Sequence, residues 1–157
     1  MKTIVLLLAA MACFGQEPTA PAVKYYRFDM VVKEIDTGKV QSARNYSVIG
    51  SARPGGAVAM VIRAGERVPV GTQTNQTYID VGVNVDCRIM SESATEVGLM
   101  VSADVSSADS RTPPIISQTK WNSNVIVPLK KPTVIFSSES PSKKIQTQLE
   151  VTVTPLQ

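Results

Sequence analysis

The sequence predicts an all-β protein: a single antiparallel β-sandwich or flattened barrel of about eight strands behind an N-terminal signal peptide. Three observations predict it. Tyr78 to Ser106 holds two runs of strict alternation, with Ile79, Val81, Val83, Val85, Cys87 and Ile89 on one side and Asp80, Gly82, Asn84, Asp86 and Arg88 on the other. Successive side chains of a strand point to opposite faces, so this period describes a hairpin with one buried and one wet face. Turn chemistry recurs at the spacing a sheet requires, and no segment keeps a helical period over three turns. At 157 residues, with 43% hydrophobic and 18% charged residues, the chain has the length and composition of one folded domain with a real core.

In chain order, residues 1–15 read as the signal peptide: Lys2 is the positive start, Ile4 to Ala12 the apolar segment, and small residues follow. The apolar segment is shorter than the roughly 20 residues needed to span a bilayer. Two cleavages compete. Ala10-Met11-Ala12-Cys13 looks like a lipobox, which would make Cys13 a lipid anchor, while cleavage after Gly15 would leave Gln16 first. Either way the exported protein belongs in the periplasm, at the outer membrane or outside the cell. Residues 16–23 form a flexible lead-in with Pro18 and Pro21, and 24–157 form the sandwich.

Tyr26, Phe28, Met30 and Val32 alternate with polar neighbours to give a first strand, and Asp36-Thr37-Gly38-Lys39 turns it into a second that runs from Val40 through Val48. After the turn Arg53-Pro54-Gly55-Gly56, the nearly continuous apolar run Ala57 to Arg63 suits a strand buried on both faces. Ala64 to Gly71 reads as a connector, because Pro69 cannot donate to a ladder. The central hairpin follows, then an exposed loop over Ser107 to Pro114, then strands over Ile115 to Val127, Thr133 to Ser137 and Ile145 to Val153.

The chemistry is sparse. The chain contains no histidine, which removes the commonest general base, the usual Ser and Cys triads and the ordinary zinc sites. Asp80 and Asp86 share a face but stand roughly 20 Å apart along an extended strand. Asp80 with Asp104 across the hairpin is the remaining acid pair, and solvated carboxylates on a sheet face are the favoured reading of it. No enzyme activity, cofactor or metal is expected. The net charge of +3, with no basic run beyond Lys130-Lys131 or Lys143-Lys144, does not imply nucleic acid. Cys87, in the apolar series of the central strand, reads as a buried structural thiol. Tyr25, Tyr26, Tyr46, Tyr78 and Trp121 are the candidates for an aromatic ligand platform, with Trp121 and Tyr78 as the ligand-binding pair and core packing, on the parity of Val125 and Val127, as the favoured role of Trp121.

From Gly65 to Val153 the order of features resembles the β-rich core domain of the bacterial secretins, the outer-membrane channel proteins of type II and type III secretion and of type IV pili. Gly65-Glu66-Arg67-Val68-Pro69 is similar to their Gly-x-x-x-Pro connector, and Tyr78-Ile79-Asp80-Val81-Gly82-Val83 to their Tyr-x-Asp-Val-Gly strand. Val105-Ser106-Ser107, Pro114-Ile115 and the Val125 to Ile135 hairpin follow in the same order. The chain departs from the pattern at Lys130-Lys131-Pro132 and at Ser137-Ser138-Glu139, and it lacks the lipid-facing aromatic girdle of a membrane barrel. The resemblance implies an envelope protein acting through protein contacts or self-association, secretin-core-like without being a pore. The interaction edge expected for that role is the run holding Val58, Met60, Val61 and Ile62, since an exposed strand backbone is a template for another strand. A soluble carbohydrate- or lipid-binding β-sandwich is the alternative.

Overall fold

The computed structural model describes residues 23–52, 59–72, 75–109, 111, 113–140 and 145–156. Eight strands make two four-stranded antiparallel sheets. The first sheet has the order β2-β1-β8-β7, from β1 (Lys24–Asp36), β2 (Lys39–Ala52), β7 (Thr133–Glu139) and β8 (Ile145–Leu156). The second has the order β3-β4-β5-β6, from β3 (Ala59–Thr72), β4 (Asn75–Glu92), β5 (Glu96–Ala108) and β6 (Ile116–Pro128). The sheets are stacked and do not close into a barrel, so the sandwich form of the expected class is the one found.

The core follows from the alternation. Phe28, Met30 and Val32 of β1 and Leu149, Val151 and Val153 of β8 face Val83, Val85 and Cys87 of β4 and Leu99, Val101 and Val105 of β5, all buried. Burial of apolar area of this kind, at about 25 cal/mol per Å², is the main stabilising term. Tyr26 is buried and Tyr25 exposed, as their opposite parity requires.

Turn residues match their backbone. Thr37 and Gly38 both have positive φ (49° and 79°), the conformation of the tight turn that joins twisted strands. Between β4 and β5, Ser93 caps the turn: its Oγ accepts from Glu96 N at 3.1 Å, and its own N–H donates to Glu96 O at 2.9 Å. After β6 the chain crosses between the sheets: Leu129 N donates to Thr95 O in the β4–β5 turn and Lys130 N to Val153 O of β8, each at 2.8 Å. Lys130 takes a positive φ of 62° to make this crossing.

Two expectations are corrected. The Gly65 to Pro69 stretch is not a connector but the continuation of β3, with Pro69 opposite Tyr78. The ladder tolerates it because β3 is an edge strand, where a missing N–H on the open side forfeits nothing. The Ala57 to Arg63 run is not covered on both faces either. Met60 packs into the core while Val61 is 49% exposed on the opposite face. Val58 lies outside the described residues.

Candidate functional site

The feature that most distinguishes the second sheet is a fork. β3 pairs with β4 along its whole length, from Ala59↔Arg88 to Thr72↔Asn75. The ladder between β4 and β5 starts only at Val83↔Val105 and runs from there to Glu92↔Val97. Beyond it β5 stays with β6, as far as Ala108↔Ile116. The β3–β4 ribbon from Gly65 and Gly82 outward is therefore a two-stranded arm, and among the described residues no ladder covers the β5 side of β4 over Asn75 to Gly82.

Two glycines and a serine build the branch point. Gly65 and Gly82 stand opposite each other in the register. A Cβ on Gly82 would lie 2.2 Å from Ala64 O and 2.5 Å from Gly65 Cα, and one on Gly65 would lie 2.2 Å from Val81 O. Gly82 also has a φ of +149°, which side-chain-bearing residues rarely adopt. Its N–H, no longer facing a β5 carbonyl, donates to the Oγ of the buried Ser106 at 3.0 Å. The signal for this branch was present in the sequence as a glycine inside each alternating run, the usual mark of close backbone approach. It was missed because each glycine also fitted a simpler reading, connector or wet-face position.

Outward-facing charges along the arm and its base are paired. Arg67 Nε donates to Asp80 Oδ1 at 2.9 Å, and Arg63 makes a two-pronged contact with Asp86 at 2.8 and 3.0 Å. Asp104 accepts from Gln118 and forms an ion pair with Lys120 at 3.3 Å. Asp80 and Asp104 thus serve different strand pairs: Asp104 stands opposite Asn84, and Asp80 lies beyond the end of the β4–β5 ladder. Among the described residues no cluster of three or more metal-ligating groups occurs. Burial raises the Cys87 thiol to about 12, which leaves it protonated and unreactive at neutral pH.

The structure separates the sequence-predicted site residues. Tyr78 is 58% exposed on the outer face of the arm. Trp121, opposite Ala103 on β6, faces the interior and stacks on Phe136 of β7 with ring centroids 3.8 Å apart. The two aromatics lie on opposite faces of the sheet and are not brought together. Met60, Val61 and Ile62 do lie on an edge strand, with Met60 in the core, Val61 exposed and Ile62 half-buried. Cys13 lies outside the described residues, and among those described no helix is long and apolar enough to cross a membrane.

Four strands, β2, β3, β6 and β7, end their sheets on one side. β2 and β3 approach each other where Gly50 meets Met60, since a Cβ on Gly50 would fall 2.7 Å from Met60 Cγ. The Trp121–Phe136 stack joins β6 to β7 on the other flank. Each flank thus has a side-chain contact between the two sheets.

No family model and no curated protein matches the chain. Among solved structures it is similar to a type II secretin of enteropathogenic Escherichia coli, at 10% identity and a TM-score of 0.47, over 86% of this chain and 66% of that one. It is similar to the type II secretion secretin of Pseudomonas aeruginosa at 9% identity and a TM-score of 0.41, over 85% and 56% of the two chains. The secretin-domain β-barrel of the Salmonella injectisome aligns at 5% identity and a TM-score of 0.46, over 86% and 62%. The chain spans less than two thirds of the length of the proteins it matches.

Proposed function

We propose that the chain is a non-catalytic exported envelope protein that associates with copies of itself through strand edges, the β3–β4 arm being its principal contact element. The observation that carries this reading is the stretch of β4 from Asn75 to Gly82, which has β3 on one side and, among the described residues, no ladder on the other. An unpaired strand backbone of that length is a template for another strand, and proteins that keep such edges without using them normally shorten, bulge or cover them. The arm is instead a regular ribbon, with Tyr78 exposed beside Pro69 and Ile79 part-exposed beside Val68. The absence of histidine and the dispersal of the carboxylates into ion pairs support a binding role over a catalytic one.

The apolar Ile4 to Ala12 segment behind Lys2 supports export and an envelope setting for this association. Closed rings are the natural product of a head-to-tail contact that repeats, whereas a contact related by a two-fold axis stops at a dimer. Light scattering of the processed protein taken from its own envelope fraction is expected to show a multi-copy assembly, on the order of ten copies if the contact is head-to-tail. A monomer at every concentration would overturn the reading. Val61→Lys, on the exposed face of edge strand β3, is expected to weaken association while leaving the monomer folded. A variant that unfolds would show Val61 to be a packing residue and count against the edge role.

A further inference from the structure

At one end of the sandwich the interior changes character within two residues. The inward row Val32, Leu149 and Phe136, drawn from β1, β8 and β7, is apolar. The next inward row of the same strands is Glu34, Thr147 and Ser138, aligned by the same ladders. The facing sheet changes in step: Val105 is opposite Thr119, and the following inward pair is Ser107 opposite Ser117. Positions that the alternation assigns to the core thus carry hydroxyls on both sheets, and there the sheets stand apart around a cleft of about 660 Å³. That volume lies within the ordinary range for small-molecule sites, roughly 300 to 1,000 Å³.

We infer that this inter-sheet cleft, whose lining contains no residue of the β3–β4 arm, is a binding site for a neutral saccharide. The walls supply hydroxyls from Ser107, Ser117, Thr119, Ser138 and Thr147, each able to donate and to accept, and the Glu34 carboxylate is the inward acceptor among them. Val105 and Ile145 add apolar surface for the C–H face of a sugar ring. Charge complementarity selects against ions. Arg44 donates to Glu34 at 3.3 Å from within the same sheet, and Lys120 at the rim is engaged by Asp104. An anion would therefore meet no uncommitted cation on these two groups, and a cation at Glu34 would have to displace Arg44; the other carboxylate of the lining, Glu139, is exposed at the rim. A ligand that exchanges hydroxyl for hydroxyl matches the inward-facing lining without separating the Arg44–Glu34 pair. No aromatic ring lines the cleft, so the affinity lacks ring stacking and is expected near the weak end, with a Kd of about 1 mM.

The test is an amide NMR titration of the full processed chain with maltotriose, cellotriose and tri-N-acetylglucosamine in turn. One of these is expected to shift the amides of Ser107, Thr119, Ser138 and Thr147 saturably, while Asn84 and Asn122 on the outer face stay still. Ser138→Phe, which fills the cleft, is expected to weaken binding at least about tenfold. Should that variant fail to fold, Glu34→Gln, which preserves shape and removes the carboxylate, is expected to do the same. Cleft amides unmoved by all three sugars, shifts confined to the outer face, or unaltered binding in the folded variant would each overturn the proposal.

Discussion

The two ends of the sandwich are built from the same strands and solve opposite problems. At the closed end, Tyr26 is buried and donates its hydroxyl to Glu92 at 2.7 Å, while Lys24 meets the other oxygen of the same carboxylate at 2.6 Å. Val97 and Val127 fill the interior beside them, and Leu129 crosses from one sheet to the other. At the open end the inward positions are hydroxylated, the second sheet forks, and the described connections are hairpin turns that stay within one sheet. Apolar alternation therefore fixes a fold only as far as it runs. Where it stops, the same backbone pattern leaves a cleft and a free arm.

The largest effect is expected where the two halves share their core. Phe28→Ala, at a residue with no exposure, should cost about 3 to 5 kcal/mol in chemical denaturation. A cost below about 1 kcal/mol would mean that the sheets are not packed on each other at this layer. At the fork, Gly82→Ala must place a Cβ against Ala64 O in a backbone conformation that resists any side chain. A loss of roughly 3 kcal/mol is expected. Hydrogen exchange should locate it in Gly65 to Thr72 and Asn75 to Gly82, with the β4–β5 ladder still protected. Uniform loss of protection across the sheet would show that the arm is not a separate element.

Much of this was legible beforehand, for identifiable reasons. The β1–β2 hairpin and the central β4–β5 hairpin were readable because one face of each is apolar and the other polar, and the turn residues Thr37-Gly38 and Ser93 sit between them. The extent of β3 was not, because Pro69 speaks against a ladder unless the strand is known to be an edge, and edge position is a property of the whole sheet. The fork was hidden for a related reason. The alternation of Ile79 to Ile89 runs on through Gly82, so the glycine that marks the branch reads as a wet-face position and does not by itself say that β5 leaves at Val83. The cleft was invisible because serine and threonine in a strand are ordinary on a wet face, and only the register shows Ser138, Thr147 and Thr119 turned inward. Trp121 was assigned both a core and a ligand role, and its stacking on Phe136 shows the packing contact.

The polar clasp at the closed end should give a smaller, pH-dependent effect. Tyr26 is raised from 10.0 to about 12 by burial and by its bond to Glu92, so the folded state holds that proton more tightly than the unfolded chain. Its stabilisation is complete below pH 10 and is lost as pH rises through about 12. Glu92 is shifted the other way, lowered from 4.5 chiefly by the bonds from Lys24 and Tyr26, so its contribution is present above pH 4.5 and fades as pH falls below that value. Tyr26→Phe should cost about 1 kcal/mol at neutral pH. The alkaline loss between pH 10 and 12 should become shallower in the variant. Unchanged alkaline behaviour would mean that another group controls it.

The smallest change is the one that most sharply separates the ends. Thr147 occupies an inward position of β8, two residues from the fully buried Leu149, yet its row is hydroxylated and opens on the cleft. If this row were ordinary core, removing the hydroxyl in Thr147→Val would improve packing, whereas a hydroxyl bonded within a closed interior would cost 1 to 3 kcal/mol to delete. At a solvated cleft wall neither applies, because water serves the hydroxyl in the folded and unfolded chains alike. Thr147→Val is therefore expected to change stability by less than about 0.5 kcal/mol in the same denaturation measurement that registers Phe28→Ala. A loss above about 2 kcal/mol would make the row part of the core and close the cleft as a site.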